Sequence, residues 1–141
     1  MSDKVLLDTS ILIEVTKRGN FISSIETFLN PKIKIYTSAV SLNEYLRGCH
    51  DKESLDIAMG LISLFGGKTI VPTYSNWIEC AHISELLLKI KKRNKQDILL
   101  LQNDILIALG SRDTQATLIT ADKTDFSLIQ NYLKFDVEYW N

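Results

Sequence analysis

The stretch "VLLDTSILIE", residues 5–14, decides how this chain is to be read. Three apolar residues run straight into Asp8, followed by two hydroxyl residues and a second apolar run. A carboxylate buried there without partners would cost several kcal/mol, so it needs a reason to be there. A continuous apolar run such as "KVLLD" (4–8) reads as a buried strand ending in the acid. "SILIEVTKRG" then reads as a helix capped by Thr9 or Ser10 and stopped at Gly19.

The same alternation of strand and helix signals continues outward from this stretch. "FISSIETFLN" (21–30) carries apolar residues at helical spacing, and "KIKIYTS" (32–38) alternates as a strand does. "SLNEYLRG" (41–48) has Ser41 three residues before Glu44, the spacing of a capping box. Residues 51–65 read as a helix ending at Gly66–Gly67, and 68–72 as a short strand. Residues 74–94 form a long amphipathic helix on this reading, and a further helix covers roughly 99–112. "ATLITA" (116–121) is a second buried strand, 126–132 a short helix, and 135–140 a last alternating strand. Strands separated by helices imply a single α/β domain over residues 1–141, with a mostly parallel sheet covered on both faces. Such folds collect ligands beyond the carboxyl ends of the strands, so Asp8 is expected to emerge into that crevice.

Size and composition exclude several classes. The 141 residues suit one core, and 45% apolar with 23% charged residues is ordinary for a globular domain. No apolar run approaches the roughly 20 residues that span a bilayer, and the start lacks the marks of a signal peptide. A cytoplasmic protein without a membrane partner is the expectation, with Cys49 and Cys80 as free thiols. The net charge of −1 argues against gripping nucleic acid by bulk electrostatics, although "KIKKRNK" (89–95) concentrates five cations. "LFGGKT" (64–69) lacks the first glycine of a phosphate-binding loop, since position 62 is Ile. A dehalogenase-type phosphatase would need a second Asp at position 10, which is Ser. Cys49, His50, Cys80 and His82 match no zinc-ligand spacing.

Three more carboxylates share the odd setting of Asp8. Glu44 follows the second strand, Asp104 interrupts "LLLQNDILIALG", and Asp122 stands two residues past "TLIT". Each has a local alternative: capping box, helix cap or turn. Together they lie where an α/β sheet would gather them at one end. Clustered carboxylates repel one another and raise each other's pKa. A hard divalent cation relieves that conflict, prefers oxygen ligands, and suits phosphodiester hydrolysis. Asp8, Asp104, Asp122 and Glu44 are therefore the candidate metal-binding and catalytic residues, with Mg²⁺ as the expected cation. Arg47, Arg112 and Lys123 are candidates to balance the phosphates.

At these residues the chain resembles a known family. "VLLDTSILIE", "SAVSLNEYLRG", "QNDILIALGSR" and "TLITADKTDF" are similar to the four motifs of PIN-domain nucleases, particularly the VapC-type toxins of toxin–antitoxin pairs. The resemblance runs from residue 4 to 126 and implies a three-layer α/β/α sandwich with a central parallel sheet. It implies a Mg²⁺- or Mn²⁺-dependent endoribonuclease acting on an RNA substrate, with a small antitoxin protein as partner and a homodimer as the assembly. Asp8, Glu44, Asp104 and Asp122 match its acidic quartet, and Thr9 or Ser10 and Thr120 match its supporting hydroxyls. Asp125 is a second acid at the last motif, and Asp97 an accessory one. A solitary RNA-processing nuclease and a non-cleaving RNA- or protein-binding module are the alternatives.

Overall fold

In the structure, a computed structural model, residues 3–17, 32–65, 68–90 and 95–140 are described. The expected helix at 21–30 and the Gly19 stop lie outside them, as does most of the 89–95 basic run. The elements in chain order are β1 (Lys4–Leu7), α1 (Thr9–Lys17), β2 (Lys34–Ser38), α2 (Ala39–Arg47) and α3 (Lys52–Leu64). There follow β3 (Thr69–Ile70), α4 (Tyr74–Ile90), α5 (Lys95–Thr114), β4 (Thr117–Thr120), α6 (Lys123–Ile129) and β5 (Val137–Tyr139).

The five strands form one sheet in the order β3-β2-β1-β4-β5, and every pairing is parallel. Parallel neighbours require crossovers, which the intervening helices provide. Strand side chains alternate between two apolar layers. Leu6 and Leu118 enter a core with Leu87, Ile105, Leu109 and Phe126, from α4, α5 and α6. Val5, Leu7 and Ile119 enter another with Ile11, Leu12, Leu42, Leu61 and Phe65, from α1, α2 and the end of α3. The sheet is thus the middle of a three-layer α/β/α sandwich. At Gly110 an added Cβ would lie 3.2 Å from Ile70 Cγ2, so the missing side chain lets α5 pass close to the edge strand β3.

The strand order runs outward from β1 in opposite directions, through β2 and β3 on one side and β4 and β5 on the other, which makes the β1–β4 boundary a topological switch point. The register that pairs Leu7 with Ile119 continues one step further, with the Asp8 N–H donating to the Ile119 carbonyl at 3.0 Å. Asp8 is thereby set beside Thr120, and the β4–α6 turn carrying Asp122 follows immediately.

Helix ends depart from the sequence reading in four places. α1 begins at Thr9, and the Asp8 carbonyl accepts from Ile11 and Leu12, so neither Thr9 nor Ser10 is the cap. α2 begins at Ala39 with Ser38 as its cap, accepting from the Val40 N–H at 3.1 Å. The expected Ser41–Glu44 capping box therefore does not form; Ser41 is inside the helix and fully buried. α5 starts at Lys95 rather than near 99, which puts Asp104 about two and a half turns in, at 3.6 residues per turn, and not at an N-terminus. α6 starts at Lys123 rather than 126, with Asp122 as its cap, so Asp125 lies in the first turn.

The sheet centre tolerates little loss of volume. Leu6→Ala, at a fully buried position between the layers, is expected to cost about 2–5 kcal/mol in chemical denaturation, by lost transfer energy and an unfilled cavity. The same substitution at exposed Leu55 is expected to change stability by less than about 0.5 kcal/mol.

Candidate metal centre

Five acids meet at the carboxyl ends of β1 and β4, delivered by four separate elements. Asp8 ends β1, Glu44 projects from α2, Asp104 from the middle of α5, and Asp122 and Asp125 from the start of α6. Carboxylate oxygens of Asp104, Asp122 and Asp125 all lie within 4.8 Å of one another. All three residues are half-buried. Asp8 and Glu44 stand outside this inner group but close enough for their charges to act on Asp104.

Asp8 does not emerge into the crevice as the strand-end argument expects. It is only 4% exposed. Its Oδ2 accepts from the Thr120 hydroxyl at 2.8 Å and from the Ser10 hydroxyl at 3.1 Å. Each hydroxyl in turn accepts a backbone N–H of the β4–α6 turn: Asp122 to Thr120 at 3.0 Å, and Ala121 to Ser10 at 3.1 Å. The two hydroxyls therefore link the turn to the carboxylate. Burial pushes the Asp8 carboxyl up from its ordinary value, against the lowering effect of Thr120, the Thr9 N–H and Ser10, with Glu44 adding a further upward push. Thr9 serves a different acid, donating from Oγ1 to Glu44 Oε1 at 2.9 Å. The three hydroxyl candidates, Thr9, Ser10 and Thr120, all reach the acidic site.

Among the described residues Asp104 has no comparable set of donors, and its carboxyl is pushed up to about 8. Burial is the main cause, followed by the charges of Asp8, Asp122, Asp125 and Glu44. A carboxyl raised this far beside two other acids fits a site shaped for a divalent cation. The donors are all oxygens, which suits Mg²⁺ or Mn²⁺ over zinc.

Asp125 is the residue whose weight the sequence analysis understated. The signal was the three-residue spacing in "DKTD" (122–125), which on a helix start turns both carboxylates to one side. Arg112 is misplaced in the opposite sense. It lies at the far end of α5 and forks onto Glu79, at 2.7 and 2.9 Å, while also pairing with Asp113. Asp113 in turn accepts from buried Asn76 at 2.8 Å, so Arg112 joins α4 to α5 and is not available to a phosphate. Arg47 and Lys123 do lie on elements that carry site acids, and both are exposed. The Asp97 side chain is outside the described residues. Cys49 and Cys80 are free thiols, as expected.

An acidic, oxygen-only site at the switch point of a parallel doubly wound sheet defines a class of α/β domain. Within it, the chain belongs to the PIN domain family, whose profile matches residues 5–130. PIN-domain nucleases are hydrolases acting on nucleic acids, and PIN domains use divalent metals. The chain is similar in structure to VapBC-1 from nontypeable Haemophilus influenzae, at 20% identity and a TM-score of 0.67, over 97% of this chain and 98% of that one. It is also similar to VapBC2 from Rickettsia felis, solved bound to a DNA fragment from their promoter, at 20% identity and TM-score 0.67, over 98% and 99%. VapBC-5 from Mycobacterium tuberculosis, a member of the VapBC family of toxin–antitoxin systems, matches at 17% identity and TM-score 0.64, over 99% and 100%. At these identities the likeness is one of fold. No curated protein sequence matches the chain. Among the described residues, no helix is long and apolar enough to cross a membrane.

The raised Asp104 carboxyl makes the metal-free protein pH-sensitive. The folded state holds this proton up to about pH 8, whereas the unfolded chain releases it near the ordinary value of 3.8. Between those limits the folded state binds more protons, so stability falls as pH rises. Asp8, also raised, adds to the same slope. In chelator, the melting temperature of the wild type is expected to drop from pH 5 to pH 8.5. Asp104→Asn should flatten that decline and melt several degrees higher at the alkaline end, at roughly 4 °C per kcal/mol. Equal slopes for the two proteins would mean that Asp104 is not the group responsible.

Proposed function

We propose that this chain is a divalent-metal-dependent endoribonuclease and the toxin of a toxin–antitoxin pair. The observation that supports the catalytic part is the gathering of Asp104, Asp122 and Asp125 within 4.8 Å beside buried Asp8. A surface built only to bind an RNA backbone gains nothing from so many like charges. The likeness in fold to VapBC structures supports the toxin assignment and a small antitoxin as partner.

In this reading Asp104, Asp122 and Asp125 hold the cation, with Asp8 contributing directly or through water. A divalent cation bound there supplies charge stabilisation for a phosphoryl oxygen and a source of nucleophilic water. Glu44, kept in place by Thr9, accepts the proton of the attacking water as general base. Water adds to phosphorus, the bond to the 3′-oxygen breaks, and that oxygen takes up a proton. The products carry a 5′-phosphate and a 3′-hydroxyl. Thr120 and Ser10 hold Asp8 and the Asp122 turn in register, so their role is positioning.

A homodimer belongs to the same proposal. Ile83 and Leu87 of α4 are part of this chain's own core. Among the described residues, the large apolar side chains left exposed on α4 are Tyr74, Trp77 and Ile78, at spacings that share one helix side. An isologous contact would let this patch meet its own copy.

Asp8→Asn is expected to abolish metal-dependent cleavage of a mixed RNA pool, with chelator as the control, while leaving a cooperative melt. Near-normal turnover in the purified variant would remove Asp8 from the site. Comparing Asp122→Asn with Asp125→Asn in that assay tests their relative weight. Both are expected to lose at least about tenfold, since each belongs to the inner group of three. Mg²⁺ or Mn²⁺ at a hundredfold excess over its dissociation constant should stabilise the wild type by about 2.7 kcal/mol. A melt that ignores millimolar metal would count against the cation site. Sedimentation at micromolar concentration reads the assembly, and Trp77→Glu is expected to shift a dimer to monomer.

A further inference from the structure

We propose that Arg47, with its guanidinium held by Asn43, binds a backbone phosphate of the substrate on the Glu44 side of the acidic site. The proposal rests on the nucleic-acid reading above and assigns a residue that determines how the strand is seated.

Arg47 lies one turn after Glu44 on α2, so their Cβ atoms are about 5–6 Å apart. Around the helix, Ser41 and Leu42 are buried, Glu44 is half-buried, and Asn43 and Arg47 are exposed. The order of these positions sets Arg47 on the solvent edge beside Glu44, at the rim of the acidic crevice rather than inside it.

The common explanation for an arginine in a last helical turn is that it satisfies the helix dipole and the final carbonyls. Two of those carbonyls, of Tyr45 and Leu46, are taken by other groups. Gly48 N–H donates to the Tyr45 carbonyl and Cys49 N–H to that of Leu46, while Cys49 Sγ also donates to Tyr45. Arg47 instead directs Nε and Nη2 onto Asn43 Oδ1, at 3.0 and 2.6 Å. Among the described residues it makes no salt bridge. The contrast with Arg112 is direct, since that guanidinium is neutralised by Glu79 and Asp113. An amide oxygen fixes a guanidinium without cancelling its charge. The orientation is thus restrained in advance, and Nη1 and the remaining N–H groups stay available for the fork geometry that arginine presents to phosphate. A chain of net charge −1 whose site is a cluster of acids needs such a cation at the rim to hold a polyanion.

The test separates binding from chemistry. Anisotropy of a labelled single-stranded RNA, measured in chelator, reads binding without turnover. Arg47→Ala is expected to weaken it about tenfold and to reduce the slope of log affinity against log salt by about 0.7, one phosphate's share for a single strand. Arg47→Lys should restore the salt slope but only part of the affinity, because the charge returns without the fork. Asn43→Ala should keep the slope and lose a few-fold in affinity. In cleavage with metal, Arg47→Ala should raise the RNA concentration for half-saturation while leaving the saturated rate within about twofold. Wild-type cleavage with unchanged binding and salt slope in Arg47→Ala would overturn the assignment while leaving the nuclease intact. Wild-type protein that neither binds nor cleaves RNA would overturn the functional reading and this inference with it. An equal loss of saturated rate and affinity in Arg47→Ala, with Arg47→Lys no better, would mean a structural role for the residue.

Discussion

The constraint on which the site depends is the burial of one carboxylate at the end of a parallel strand. Asp8 is almost fully removed from water, and an ionised carboxylate there is tolerable only with donors in place. Thr120 and Ser10 supply them from the neighbouring strand and from the first turn of α1. Because the same hydroxyls accept from the backbone of residues 121 and 122, satisfying Asp8 also fixes the turn that presents Asp122 and Asp125. The supporting hydroxyls and the outer acids are therefore one connected structure, in which disturbing any member would misplace the others.

The sheet order explains why the acids meet where they do. With β1 in the centre and crossovers diverging to either side, helix and strand ends separate at the β1–β4 boundary and leave space there. The opposite end of α5 is organised by different chemistry. Arg112, Glu79, Asp113 and Asn76 neutralise and satisfy one another where α4 meets the end of α5. One pole of the molecule pairs its acids with a cation and an amide and locks two helices together. The other gathers five acids and leaves the imbalance to be met from outside. That division separates holding the fold from doing chemistry, and a stability cost is expected at the second pole in the absence of a cation.

The errors in the sequence reading were concentrated at helix ends and had one physical origin. Ser41 and Glu44 have capping-box spacing, yet the chain enters α2 earlier because β2 ends at Ser38, whose hydroxyl takes the cap. Asp104 looked like a helix start because polar residues interrupt an apolar run. In the fold it is an interior residue of a long helix whose polar side faces the crevice. The last helix reads from 126 in the sequence, yet it starts at Lys123 with Asp122 as its cap. At α2 and α6 more than one polar side chain stood near the helix start, and the cap was chosen by where the sheet delivered the backbone.

Periodicity and apolar runs were sufficient to place the strands, to mark the acids at their ends, and to identify a parallel α/β sandwich. These properties are local: a buried strand must be apolar along its length, and a ligand-facing acid must interrupt or end such a run. Four of the five site acids were named on that basis, and the fifth was noted as secondary. Only the tertiary structure decided which acids form the inner group, which hydroxyl serves which carboxylate, and which arginine is paired with acids. The contacts that decide them include pairs far apart in the chain, such as Thr9 with Glu44 and Thr120 with Asp8. No local pattern encodes them, because they are fixed by strand register and by competition among donors that only packing brings together.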